Sequence, residues 1–200
     1  PKLSQFGNDI TLNPDLFKRI KSVYDSKDQL KLNVEQTTLL ENSYKSFVRN
    51  GALLNESQKE QLRAIDSELS VLKLKYGENI LADQNAYQLH ITNEADLKGL
   101  PQGTIEAAAE VAKSEGKEGW IFTLDYPSII PFLTYAENRE LRKEMAIANG
   151  KKAFQANDNN NEEISIKIAN LRFQRAQLLG YESHAHFVLE ERMAKNPSEV

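Results

Sequence analysis

The chain has 200 residues, 40% of them hydrophobic, and no cysteine. That length suffices to bury a core, and the missing cysteine excludes disulfides, thiolate nucleophiles and cysteine metal sites while leaving the compartment open. Charged residues make up 27% with a formal net charge of -4; the signs are interspersed, so neither nucleic acid nor an anionic membrane is an expected partner.

The first helical signal is Asn13 followed by Pro14, an N-cap with proline at the first helical position, behind which Leu16, Phe17, Ile20, Val23 and Tyr24 recur at helical spacing. Asn33 with Gln36 opens a second helix, with Leu39, Leu40, Tyr44, Phe47 and Val48 on its apolar face and Gly51 as its stop. Asn55 with Gln58 opens the third and longest, whose Leu62, Ile65, Leu69, Leu72, Tyr76 and Ile80 form a narrow packing stripe. Glu60, Arg63, Lys73 and Lys75 lie off that stripe and are expected in solvent. The second and third helices together predict an antiparallel hairpin.

The period then changes. Tyr87, Leu89 and Ile91 alternate with Gln88, His90 and Thr92, which predicts a half-buried strand over about 86–92. A second strand is expected over about 119–125, with Trp120, Phe122 and Leu124 on one face and Ile121, Thr123 and Asp125 on the other. An alanine-rich helix between Pro101 and Gly116 links the two, a connection that permits parallel pairing without requiring it. Helices follow over Pro127 to Tyr135, from Asn138, and over Glu162 to Leu179 with a stop at Gly180. The polar run Asn157, Asp158, Asn159, Asn160, Asn161 reads as the clearest loop. At the end, Asn196, Pro197 and Glu199 announce one more helix, which marks the chain as a fragment whose fold continues downstream. The organisation expected is helical hairpins over 1–85, strand, helix and strand over 86–125, and helices over 126–200, all within one N-terminal helical region.

Residues that carry chemistry are sparse. No segment approaches the roughly 20 apolar residues that cross a bilayer, and no glycine-rich phosphate loop is present. The histidines are His90, His184 and His186; a pair two residues apart on a helix points about 200° apart and does not share a metal. Ser183 beside His184 lacks the strained turn that exposes a nucleophile and reads as a helix cap. Glu162 with Glu163 and Glu190 with Glu191 are neighbours that face different directions and are expected to be solvated. Trp120, Tyr126, Phe132 and Tyr135 concentrate aromatic surface, as a groove floor for extended peptide or, at these spacings, as core packing.

Longer words are recognisable. Pro131-Phe132-Leu133-Thr134-Tyr135-Ala136-Glu137-Asn138-Arg139-Glu140-Leu141-Arg142 resembles a characteristic stretch of bacterial peptidyl-dipeptidases and of oligopeptidases related to thimet oligopeptidase. Gly119 to Asp125 is similar to the strand before it in that family. Leu178-Leu179-Gly180-Tyr181 with Glu191-Arg192-Met193-Ala194 resembles the next landmark, and Leu69 to Asn79 an earlier helix. The peptidyl-dipeptidase branch is the nearer in wording.

The resemblance implies a mainly α fold, one lobe of a larger two-lobed metallopeptidase, in which a helix bearing HExxH and a distant glutamate binds zinc and water on that metal attacks the scissile carbonyl. Neither motif element occurs in these residues. No catalytic or metal-binding position is therefore assigned, and substrate-binding positions are left unknown. The expectation is a wall of the substrate channel in a zinc peptidase that cleaves short peptides and, by branch, releases C-terminal dipeptides. The segment itself would hold no zinc, lack activity, and have the remainder of its own chain as partner. The alternative is a stand-alone helical interaction module without catalysis.

Overall fold

The structure is a computed structural model that describes residues 2–200. Among them are the helices α1 (Lys2–Thr11), α2 (Pro14–Asp25), α3 (Val34–Arg49), α4 (Glu56–Ala86), α5 (Gln102–Ser114), α6 (Tyr126–Tyr135), α7 (Arg139–Gly150), α8 (Glu162–Leu178) and α9 (His184–Leu189), with two short strands, β1 (Leu89–Ile91) and β2 (Trp120–Phe122). The fold is mainly α, as the periodicity predicts. The residues divide into two compact units, one made of the chain up to Leu74 with Ile166–Val200, the other of Lys75–Ser165.

In the first unit the capping signals operate as read. Asn13 Oδ1 accepts the Leu16 N–H at 2.9 Å, and Asn33 and Gln36 exchange bonds at 2.8 and 3.0 Å. Asn55 and Gln58 do the same at 2.9 and 3.1 Å, which fixes the start of α4. The main packing partner of α3 is α2 rather than α4. Aromatic complementarity decides this: Phe17 stacks with Tyr44 and Phe47 at 5.8 and 6.1 Å, and Tyr24 lies on Tyr44 at 3.8 Å. Helix α1 escaped the sequence reading, for it carries Gly7 in its middle and buries none of its residues. It is tied down by Asp9, which takes Arg63 Nη1 at 2.7 Å. Arg63, expected in solvent, is thereby held partly buried. The announced C-terminal helix is a single 3-10 turn, Pro197–Glu199, without a side-chain cap.

The core of the second unit gathers Leu89 and Ile91 from β1, Phe122 from β2, Leu97 and Leu100 from the turn after β1, Ala108 from α5, Ile129 and Phe132 from α6, and Met145 from α7. The strands pair antiparallel, with Leu89 opposite Phe122, His90 opposite Ile121 and Ile91 opposite Trp120. β1 keeps the predicted alternation, with His90 outward. β2 does not: Ile121, expected on the outer face, is only 1% exposed, because α5 packs on this strand and buries the side that period two assigns to solvent. The strand ends at Phe122, and Thr123 and Asp125 turn the chain into α6, where Ser128 Oγ accepts the Thr123 N–H at 3.0 Å.

Two glycines permit close backbone approaches in this unit. Gly119 (φ 89°) enters β2 so near the partner strand that a Cβ would stand 2.3 Å from the Ile91 carbonyl oxygen. Gly99 (φ 89°) passes the end of α6, where a Cβ would meet the Tyr135 carbonyl oxygen at 2.2 Å.

The asparagine run is less a free loop than a clamp. Asp83, near the end of α4, accepts the Ala153 N–H at 2.7 Å, Asn157 Nδ2 at 3.0 Å, Asn159 Nδ2 at 2.8 Å and Gln155 Nε2 at 3.3 Å. Asn161 is buried; it accepts Asn79 Nδ2 at 2.8 Å and donates to the Tyr76 carbonyl at 2.9 Å. Thus the apolar stripe of α4 gives way, past Tyr76, to a buried polar one.

Candidate functional site

The four aromatics singled out by the sequence do not form one floor. Phe132 is fully buried and meets Phe122 edge-on at 4.7 Å, and Trp120 packs half-buried against the same core. Tyr126 and Tyr135 are 77% and 54% exposed. They stand at opposite ends of α6, about 13 Å apart along its axis. Two of the residues are therefore core and two are free surface tyrosines. Trp120 also borders an open groove of about 790 Å³ with Leu97, Lys98, Ile105 and Glu106.

The recognisable stretch Pro131 to Arg142 builds the corner between α6 and α7. Asn138 Oδ1 caps α7 by accepting the Glu140 and Leu141 N–H groups at 3.1 and 3.2 Å, while its Nδ2 donates to Asp96 at 2.8 Å. The Arg142 guanidinium donates to the Ala136 carbonyl, and the Glu137 N–H donates to the Lys98 carbonyl at 2.8 Å. Phe132 and Ala136 face the core. The polar residues of the motif thus hold a turn in place.

The three histidines sit in three settings. His90 Nε2 lies 2.7 Å from the Glu118 carbonyl oxygen. His186 has Nδ1 2.8 Å from Ser183 Oγ and Nε2 3.4 Å from Glu182. Ser183 Oγ is also the N-cap acceptor for the His186 N–H, so all three groups belong to one helical start. His184 points elsewhere, into a cavity with Lys73, Arg172 and Arg175. Desolvation first, and then those three cations, hold its imidazole below its ordinary value. Among the described residues no group of three or more His, Cys, Asp or Glu is arranged to hold a metal ion. They do not fit the zinc site that the resemblance implies, and no chemical step is assigned through a metal here.

The densest side-chain network of the first unit surrounds α9. Arg49, from the end of α3, donates to the Phe187 carbonyl at 2.7 Å and to the Tyr181 hydroxyl at 3.0 Å, and pairs with Glu190. The Tyr181 hydroxyl in turn donates to Glu190 at 2.7 Å. The guanidinium groups of Arg49 and Arg175 lie over the Phe187 ring, at 4.5 and 5.2 Å. Arg175 is itself fixed by Asp66 at 2.7 Å. Glu190 and Glu191 are exposed, as expected, and both are paired, the second with Lys45 at 3.0 Å. Sequence reasoning missed Arg49, Arg175 and Asp83, since each is a single charge on a helix whose partners lie far along the chain.

Comparison with known proteins bears on this arrangement. Residues 132–200, from the α6 corner through α9, match the sequence profile of Peptidase family M3. Over 204 residues the chain is 32% identical to oligopeptidase A of Haemophilus influenzae, which covers all of this chain and 30% of that protein. It is 29% identical over 197 residues to dipeptidyl carboxypeptidase of Escherichia coli, covering 98% of this chain and 29% of that one. Saccharolysin of Saccharomyces cerevisiae is 27% identical over 203 residues, 100% of this chain and 27% of its own length. The chain spans about 30% of the length of the curated relatives it matches first. The relatives matched first are oligopeptidases A, while the dipeptidyl carboxypeptidase, of the branch expected to be nearer in wording, stands at 29%. With one profile over its C-terminal part and relatives of one kind along its whole length, the chain matches the M3 peptidase family, that of thimet oligopeptidase and oligopeptidase A.

Proposed function

We propose that this chain is a non-catalytic part of a zinc-dependent peptidase that hydrolyses short peptides, and that it contributes a wall of the substrate channel rather than a reacting group. The observation that carries the reading is the relationship to oligopeptidase A along the entire chain, 32% identical over 204 residues. A further feature supports it. The family motif over Pro131 to Arg142 is spent on a helix corner, with capping, backbone bonding and core packing, as suits a scaffold that places surfaces for others. The exposed Tyr126 and Tyr135 are the residues of this scaffold best suited to touch an extended peptide.

The test compares the 200-residue chain with the full-length natural polypeptide that carries it, each incubated with a quenched fluorescent peptide, with and without EDTA. The long polypeptide is expected to cleave it in a chelator-sensitive manner, and the short chain to leave it intact. Cleavage by the short chain, or none by the long one, refutes the reading.

A further inference from the structure

A cavity of about 540 Å³ in the first unit is lined by Ser4, Asn50, Ser70, Leu69 and Phe187 together with the charged residues Asp66, Lys73, Arg172 and Arg175 and the imidazole of His184. Its charges do not balance. Asp66 supplies the single carboxylate and is engaged by Arg175 at 2.7 Å. Lys73 and Arg172 make no ion pair among the described residues, so three cations against one anion leave a surplus of two positive charges. The pair Arg175 and Asp66 is partly buried, its side chains 16% and 13% exposed, whereas Lys73 and Arg172 reach the cavity from solvent-exposed positions. Elsewhere in this unit cations in reach of a carboxylate are matched, as Lys45 is by Glu191 and Lys167 by Glu68. Unmatched cations around a partly desolvated space attract an anion more strongly than the same charges spread on a convex surface. Asn50 and Ser70 add polar groups, and Leu69 and Phe187 provide an apolar wall that an inorganic ion alone does not use.

We propose that this cavity binds the oxyanion end of a small organic ligand, a carboxylate or a phosphate group, between Lys73 and Arg172, with the imidazole of His184 at its edge. The guanidinium is a planar donor suited to two oxygens at once, and the ammonium supplies a second, mobile charge. The charged groups that act on His184 are Arg172 and Arg175 from α8 and Lys73 from α4, and Asp66 of α4 lines the same cavity. An anion seated there offsets the cations that now disfavour the protonated imidazole. Binding therefore raises the pH at which His184 titrates and tightens as the pH falls through that range.

The experiment titrates the 200-residue chain with inorganic phosphate and, separately, with acetate at constant ionic strength set by chloride, while NMR follows the imidazole resonances of its three histidines. The expected result is saturable binding with a dissociation constant on the order of millimolar, an upward shift in the titration of His184, and no change at His90 or His186. Which of the two anions binds more tightly assigns the ligand group. The double variant Lys73→Gln with Arg172→Gln, both positions exposed, is expected to keep the helical circular dichroism and to weaken binding by about 10-fold or more. Calorimetry with the same anions on the full-length polypeptide is the second arm. Failure to saturate, equal effects at all three histidines, or unchanged affinity in the double variant overturns the proposal. So does binding to the 200-residue chain that the full-length polypeptide does not reproduce, which means that the parent fills the cavity with its own residues.

Discussion

The Asp83 carboxylate accepts the backbone N–H of Ala153 at 2.7 Å, and Ala153 is one of two non-glycine residues described with positive φ, at 54°. A carboxylate on a helix thus stabilises a backbone conformation that alanine alone disfavours. Ala153 in turn accepts the Asn161 N–H at 2.7 Å, which closes the polar run back onto the helix.

Replacing Asp83 with Ala is expected to cost about 2–4 kcal/mol, because four donors lose a buried acceptor at once. Asp83→Asn keeps one acceptor oxygen but turns a second group of donors toward existing donors, so a loss of about 1–3 kcal/mol is expected. Urea unfolding followed by circular dichroism measures both. Losses below about 0.5 kcal/mol in each variant speak against the clamp.

The same carboxylate gives stability a pH dependence. Burial pushes Asp83 up, but bonds from Asn159, the Ala153 N–H, Asn157 and Gln155 together hold it below the usual carboxylate range. A folded value below the unfolded one contributes stability that is fully present above the unfolded value, about 4, and is lost as pH falls through the folded one. Wild type is therefore expected to lose more stability than Asp83→Ala between about pH 5 and pH 2. Parallel pH profiles in urea unfolding go against it.

Gly99→Ala and Gly119→Ala should each destabilise the chain by about 2 kcal/mol or more, since the obstructing atoms are the carbonyl oxygens of Tyr135 and Ile91 rather than side chains. Gly103→Ala is the control, for nothing lies within 4 Å of its Cβ. Thermal unfolding of the three variants orders them; a control as damaged as the other two refutes the steric account.

Arg175 and Asp66 are both partly buried and pair at 2.7 Å. Removing either leaves an uncompensated charge, so each single change to Ala is expected to cost about 2–4 kcal/mol, and the double change less than their sum, with a coupling of about 1–3 kcal/mol. A double-mutant cycle by chemical denaturation reads this directly, and strict additivity dissolves the pair.

The aromatic stretch separates stability from surface. Phe132→Ala is expected to cost about 3–5 kcal/mol, whereas Tyr126→Phe and Tyr135→Phe should stay within about 0.5 kcal/mol of wild type. On the proposed peptidase function, the tyrosine changes in the full-length polypeptide are expected to alter KM for short peptides. Unchanged KM in both returns them to ordinary surface.

Local features were legible wherever a residue acts on its own neighbours. Asn13, Asn33, Asn55, Asn138 and Ser183 cap the helices they precede, and Gly51, Gly116 and Gly180 take positive φ at their ends. β1 was legible because one of its faces meets solvent, so its period is intact. These features depend on distances of a few residues, which sequence preserves. α1 was not legible, since it buries none of its residues.

Only the tertiary structure decided what depends on distant partners. Ile121 turned inward because α5 covers β2, Phe132 and Tyr135 of one short helix went to core and to solvent, and α3 found α2 through a stack of rings. Asp83, Arg49 and Arg175 acquired their meaning from groups tens of residues away. A side chain carries its charge and size in the sequence, but burial and hydrogen-bond partners are properties of the packed chain. That is why the helices were readable from the residues while the clamp, the arginine network and the cation-lined cavity were not.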